Sequence, residues 1–210
     1  MHLDLLHLAI EVAATLAFFT AGLLAAARKR LDVVGSFSVA CLSAFGGGTM
    51  RDLLLDRRPF FWVDNADWLW GLMLLTLLAM RYLDHRHVST TQRAIQWPDA
   101  LGLGLFAASG TQIALAAGMP PLIAVLMGTM TAACGGVLRD IACAEVPTAF
   151  NDHQPYALCA FVGGWLVVLG EHWGWPPGPS LAAGAALAFG LRAGTLWRDL
   201  RLPEWRAGRR

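Results

Sequence analysis

Charged side chains are scarce in this chain: 16 Lys or Arg and 15 Asp or Glu among 210 residues, 15% of the whole, against about 25% for an ordinary soluble domain. Hydrophobic residues make up 56%, and mean hydropathy is +0.51. A soluble domain of this length cannot hide so much apolar surface, because its surface-to-volume ratio demands more polar cover. An excess of one sign is also lacking, since the formal net charge is only +1. That excludes a nucleic-acid-binding arm and a charge-extended disordered chain. Catalytic signatures are missing too: no GxxxxGKS/T phosphate loop, HExxH helix or GxSxG elbow occurs, so no enzyme activity is expected. Cys41, Cys134, Cys143 and Cys159 lie in apolar runs without zinc-type spacing, and are expected to be small buried hydrophobes. His85 and His87 stand two apart in a polar loop, so neither a metal site nor a cofactor is expected. Met1-His2-Leu3-Asp4 lacks the basic start of a signal peptide, so the first apolar run is expected to be a retained span.

What is abundant is apolar sequence in span-sized lengths. A membrane-crossing helix needs about 20 mostly apolar residues. The chain offers seven candidates, at 5–27, 33–55, 67–83, 98–118, 121–145, 155–172 and 179–197. Trp62, Trp68, Trp70, Trp97, Trp173, Trp175 and Trp197 stand at span ends, where interfacial anchors belong. An external N-terminus puts Arg28, Lys29, Arg30, Arg81, Arg86, Arg93 and the arginines of the 198–210 tail on the inside, leaving Arg57 and Arg58 outside. The positive-inside rule therefore selects N-out and C-in. The tail is most simply a topology signal, with lipid headgroup contact a lesser role.

The chain also repeats itself at an offset of 88 residues. Gly47-Gly48-Thr49-Met50-Arg51-Asp52 matches Gly135-Gly136-Val137-Leu138-Arg139-Asp140, and the same offset pairs Glu11 with Asp99, Phe18 with Phe106, Gly22 with Gly110, Pro59 with Pro147 and Asp64 with Asp152. Repeat one covers about 5–83 and repeat two about 98–172, with a seventh helix at 179–197, in one transmembrane domain spanning 1–210. Three spans per repeat turn the second copy upside down in the membrane, the inverted arrangement common in transport proteins. The expected fold is thus an all-α integral membrane protein of seven transmembrane helices: two inverted three-helix repeats plus one extra.

Two features inside the spans call for chemistry. Gly46, Gly47 and Gly48 in the second span, and Gly135 and Gly136 in the fifth, loosen a helix because they lack Cβ. A break there frees carbonyls that can face a cation; the alternative is close helix packing through small residues. Arg51, Asp52, Arg139 and Asp140 place charge where it costs about 2.5–3.5 kcal/mol on insertion scales. Residues i and i+1 do not face each other on a helix, so Arg51 is expected to meet Asp140, and Arg139 to meet Asp52, across the pseudo-two-fold axis. The four charges either line or gate a pathway or form a structural lock. Glu11 and Asp99, near the starts of their spans, either bias each mouth towards cations or are solvated interfacial carboxylates. Arg192, beside Gly190 and Gly194 in a GxxxG pattern, is expected to snorkel to the inner headgroups.

The doubled Gly-Gly-x-x-Arg-Asp motif, each copy followed by a proline, resembles the prokaryotic branch of the trimeric intracellular cation (TRIC) channels over about residues 5–197. The resemblance implies a homotrimer in membrane lipid, with one pore per protomer and passive permeation by monovalent cations, mainly potassium with sodium also passing. It implies that Gly46, Gly47, Gly48, Gly135 and Gly136 are pore kinks and that Arg51, Asp52, Arg139 and Asp140 are pore or gate charges. A compact chain of this kind implies a bacterial plasma membrane. Cys134 stands where the first copy has Gly46, which points to a milder break in the fifth span. The basic lipid-binding motif of animal members has no clear counterpart. A secondary transporter for a small amino acid such as glycine uses the same architecture and stays open, as does, more weakly, a structural membrane protein.

Overall fold

The computed structural model describes residues 2–82, 92–151 and 154–203. The His85 and His87 loop, the Asp152 match and the tail beyond 203 lie outside the described residues. The elements run α1 (His2–Arg28), α2 (Val33–Leu54), α3 (Phe61–Asp64), α4 (Asp67–Tyr82), α5 (Gln92–Ala116), α6 (Pro121–Ala142), α7 (Thr148–Asn151), α8 (Tyr156–His172) and α9 (Pro177–Arg198). No strand occurs among the described residues. Each expected span has a helix of 16 residues or more in its place. Among the described residues, α1, α2, α5 and α6 are long and apolar enough by length and composition alone to cross a membrane, and α8 is a shorter apolar helix.

Local chemistry starts and stops these helices. The Asp32 side chain caps α2 by accepting from Gly35 N at 2.7 Å, satisfying one of the orphan donors of the first turn. Pro121 and Pro177 open α6 and α9, where the missing N–H costs nothing. The ends of α2 and α6 are one design used twice. Asp56 N donates to Leu53 O and Arg57 N to Asp52 O, while Ala144 N donates to Ile141 O and Glu145 N to Asp140 O. These are Schellman stops, with Asp56 (φ 50°) and Ala144 (φ 53°) in the left-handed region. Arg30 and Gly118 stop α1 and α5 in the same way.

Packing is duplicated as well, and reciprocally. A Cβ on Gly47 would lie 2.0 Å from Thr131 O, and one on Gly135 would lie 2.3 Å from Ser43 O. Residue 47 plus 88 is 135, and 43 plus 88 is 131, so each partner sees the other's equivalent. Such mutual contact is the mark of a two-fold relation. Phe18 and Phe106 face each other in the same way, stacked at 5.6 Å between ring centres and 19° between planes. Their rings sit in the core with Ala14, Leu103, Ala107, Ala132 and Ala160.

The glycine-rich segments do not break their helices. Both α2 and α6 stay helical straight through them, which corrects the expectation of freed carbonyls at that level. Gly47 and Gly135 instead let two backbones touch, a use that only the absence of Cβ allows. The second copy is more deeply enclosed than the first. α9 packs on α5 and α8 through Gly104, Gly163 and Gly184, whereas α4 buries only Leu72 and Thr76.

Candidate functional site

Each copy carries a buried arginine bracketed by two carboxylates. In the first, Arg51 on α2 donates from Nη1 to Glu11 Oε1 of α1 at 2.8 Å, and from Nε and Nη2 to Asp52 at 2.8 and 3.1 Å. In the second, Arg139 on α6 donates from Nη1 to Asp99 Oδ1 of α5 at 2.6 Å and from Nε to Asp140 Oδ1 at 2.9 Å. The expected cross-axis pairs, Arg51 with Asp140 and Arg139 with Asp52, do not form. Each arginine is neutralised within its own copy, in part by its immediate neighbour. Helix geometry separates the Cβ atoms of neighbours, but the long arginine arm curls back and its planar fork reaches both partners.

Glu11 and Asp99 are therefore not solvated interfacial carboxylates. They are 7% and 4% exposed, each held inward against the arginine of its own copy. Arg192 does not snorkel either. It is 2% exposed, its Nη1 donates to Gln154 Oε1 at 2.8 Å, and its guanidinium lies 5.0 Å from the centre of the Tyr156 ring. The GxxxG glycines beside it make no interface among the described residues, since a Cβ on Gly190 or Gly194 would meet open space.

Around this shared core the two copies part. The first opens on a cavity of about 800 Å³, lined by Glu11, Arg51, Asp52, Arg57, Asp64 and Gln112 among others. Beyond Glu11 and Asp52 a small chamber of about 10 Å³ continues past Thr15, Gly48 and Thr49 to Phe106, room for about one water. Trp62 closes one side of it, held by its Nε1 donating to Thr49 Oγ1 at 3.1 Å. Arg57 reaches back from the turn after α2, with Nη1 at 3.2 Å from Asp52 Oδ1.

In the second copy Asp140 Oδ2 instead accepts from Thr148 N and Oγ1 at 2.8 and 3.0 Å. Asp99 Oδ1 and Tyr156 OH converge on Gly136, each 3.1 Å from where its Cβ would be. Glu145, in the place corresponding to Arg57, turns away to Arg28 and to Lys29 Nζ, the latter at 2.8 Å. Arg57, read from sequence only as an outside charge, and Thr148, Gln154 and Tyr156 carry no expected site role. The signal for the first two lies in the turn after each Arg-Asp pair, which folds the chain back onto the carboxylate. No group of three or more His, Cys, Asp or Glu side chains suited to a metal occurs among the described residues.

A helical bundle built on an internal two-fold, with a buried arginine–carboxylate cluster in each copy, defines a class of polytopic membrane protein. A family model described as glycine transporter matches residues 8–85 and again 96–172, and the chain belongs to that family. It is 32% identical over 206 residues to a UPF0126 membrane protein of Vibrio cholerae, covering 96% of this chain and 83% of the relative. A UPF0126 membrane protein of Deinococcus radiodurans is 33% identical over 196 residues, covering 92% and 89%. Among solved structures, the TRIC trimeric intracellular cation channel orthologue from Rhodobacter sphaeroides matches with a TM-score of 0.84 and 33% identity, over 92% of this chain and 98% of that one. The resemblance read from the doubled motif holds, and the protein is an all-helical integral membrane protein with the TRIC fold.

Proposed function

We propose that the protein is a cation channel, conducting potassium with sodium also passing through a pore within each protomer of a homotrimer. The observation that carries this reading is the wide cavity lined by Glu11, Arg51 and Asp52, with a small chamber of about 10 Å³ beside Gly48 that shares Glu11 and Asp52 with it. Buried carboxylates at the foot of an aqueous funnel concentrate cations. On this reading Phe106, which lines the inner end of the chamber and stacks on Phe18, lies across the path. Structural likeness to the Rhodobacter TRIC orthologue supports the same reading.

On this reading the two copies are inverted in a bacterial plasma membrane, N-terminus outside, and α2 and α6 flank the pore. Gly46, Gly47, Gly48, Gly135 and Gly136 are the points at which those helices bend during opening. Arg51, Asp52, Arg139 and Asp140, with Glu11 and Asp99, are the pathway charges. Conduction needs no cofactor; membrane lipid and the permeant ions suffice.

A second reading, transport of a zwitterion such as glycine, is favoured by the description of the family and by the cavity wall, which offers both Arg57 and carboxylates. Purified protein in a planar bilayer decides between them. Discrete conductance steps with a cation-selective reversal potential are expected. Silent bilayers, together with saturable glycine uptake into proteoliposomes, overturn the channel.

A further inference from the structure

The balance of charge differs between the two arginine clusters. Each contains one buried guanidinium against two carboxylates, leaving one negative charge over. In the second copy Arg192, 2% exposed, stands over Tyr156 beside the cluster and is held by Gln154. It is a permanent, enclosed counter-charge. In the first copy the additional guanidinium is that of Arg57, whose side chain is 48% exposed while that of Asp52 is 6% exposed. At 3.2 Å this is also the longest ion pair within the two clusters.

Backbone geometry holds Arg57 in place without holding its side chain. The left-handed Asp56 and the bond from Arg57 N to Asp52 O at 2.8 Å fix where the arm starts. Its guanidinium then reaches Asp52 Oδ1 across the cavity wall. Across the repeat, the same turn presents Glu145, which leaves Asp140 to Thr148. The backbone device is shared, and only the first copy uses it to aim a solvent-facing cation at the buried carboxylate.

We propose that Arg57 is a tethered counter-ion that shares Asp52 with a monovalent cation entering from the cavity, and so sets how readily that cation occupies the foot of the funnel. The inference rests on the cation reading above and adds to it the residue that tunes occupancy. The half-exposed arm regains water when it swings aside, which offsets part of the bond it loses to the buried Asp52. Asp52 Oδ1 already accepts from Arg51 Nε at 2.8 Å as well as from Arg57, so the Arg57 guanidinium competes with an arriving potassium ion through like-charge repulsion at a shared oxygen.

Thermal unfolding of the purified protein, titrated with potassium against choline at constant ionic strength, tests this on wild type, Arg57→Gln and Arg57→Lys. The half-saturating potassium concentration is expected to fall by about fivefold in Arg57→Gln, the effect of removing one unit charge a few ångströms away at high dielectric, and to stay near wild type in Arg57→Lys. Identical potassium dependence in wild type and Arg57→Gln, or none in either, overturns the proposal. Bilayer recordings of the same proteins separate it from the channel reading. Conducting wild type with unchanged titrations sinks the counter-ion and keeps the channel; silent bilayers with the expected titration shift do the reverse.

Discussion

The two halves of this protein share a backbone plan and differ in what surrounds it. Helix stops, glycine contacts and arginine brackets recur at an interval of 88 residues, yet one bracket faces an open cavity and the other is walled in by Thr148, Tyr156 and Arg192. The helix that follows the repeats makes most of the difference. α9 has no counterpart in the first half, and it brings Arg192 into the second. A duplicated unit thus acquires one wet and one dry charge cluster from the same residues. The charges themselves are buried almost equally in the two copies, so what differs is the space beside them: an open cavity against the first, and Thr148, Tyr156 and Arg192 against the second.

The sharpest way to break this comparison is to remove each central arginine. Arg139→Met leaves Asp99 and Asp140 buried without their counter-charge, and breaking a buried pair in this way costs about 3–5 kcal/mol. Arg51→Met leaves Glu11 and Asp52 beside the cavity, where water can solvate them, and the expected loss is about 1–3 kcal/mol. Thermal unfolding in detergent should therefore place Arg139→Met well below Arg51→Met. Equal losses would mean that the cavity does not hydrate the first cluster.

A smaller effect separates neighbouring glycines. Gly47→Ala drives a Cβ to 2.0 Å from Thr131 O, and a backbone carbonyl cannot step aside, so about 1–3 kcal/mol is lost to overpacking. In Gly48→Ala the new Cβ has nothing closer than Arg51 Nη2 at 3.9 Å. It should gain up to about 1 kcal/mol from helix propensity. That methyl also enters the chamber of about 10 Å³, so unitary conductance should drop while the melting temperature holds or rises. Loss of stability with unchanged conductance in Gly48→Ala would remove this chamber from the pathway.

Much of this was legible beforehand, and the failures have a common cause. Span positions, the repeat and the charged motif follow from hydropathy and self-similarity, which need no side-chain detail. The pairing of Arg51 did not, because a spacing rule for Cβ atoms says little about an arm long enough to fold back on its neighbour. Arg192 was assigned to the headgroups from its place in the span. Its true partners, Gln154 and Tyr156, lie 38 and 36 positions earlier and come close only through the packing of α8 on α9. Glu11 and Asp99 are buried because each meets its own copy's arginine, a contact 40 positions away in the chain. What was lost in each case is tertiary reach, to which periodicity is blind.

The smallest expected effect lies at the position where the repeats carry opposite charge. Glu145 stands in the place of Arg57 and ties the turn after α6 to Arg28 and Lys29 at the end of α1. The equivalents of those two cations, Ala116 and Ala117, line the open cavity without any such tie. One end of the bundle is thus bridged by ions where the corresponding place in the other copy is unbridged. Both cations are about a quarter to a third exposed, at 26% and 33%, so salt screens the bridge and Glu145→Gln should cost no more than about 0.5 kcal/mol. The difference in melting temperature between wild type and Glu145→Gln should shrink as salt rises from low to molar concentration. A loss that is large and insensitive to salt would show that this bridge belongs with the dry cluster, buried in effect, and that the wet–dry division runs elsewhere in the second half.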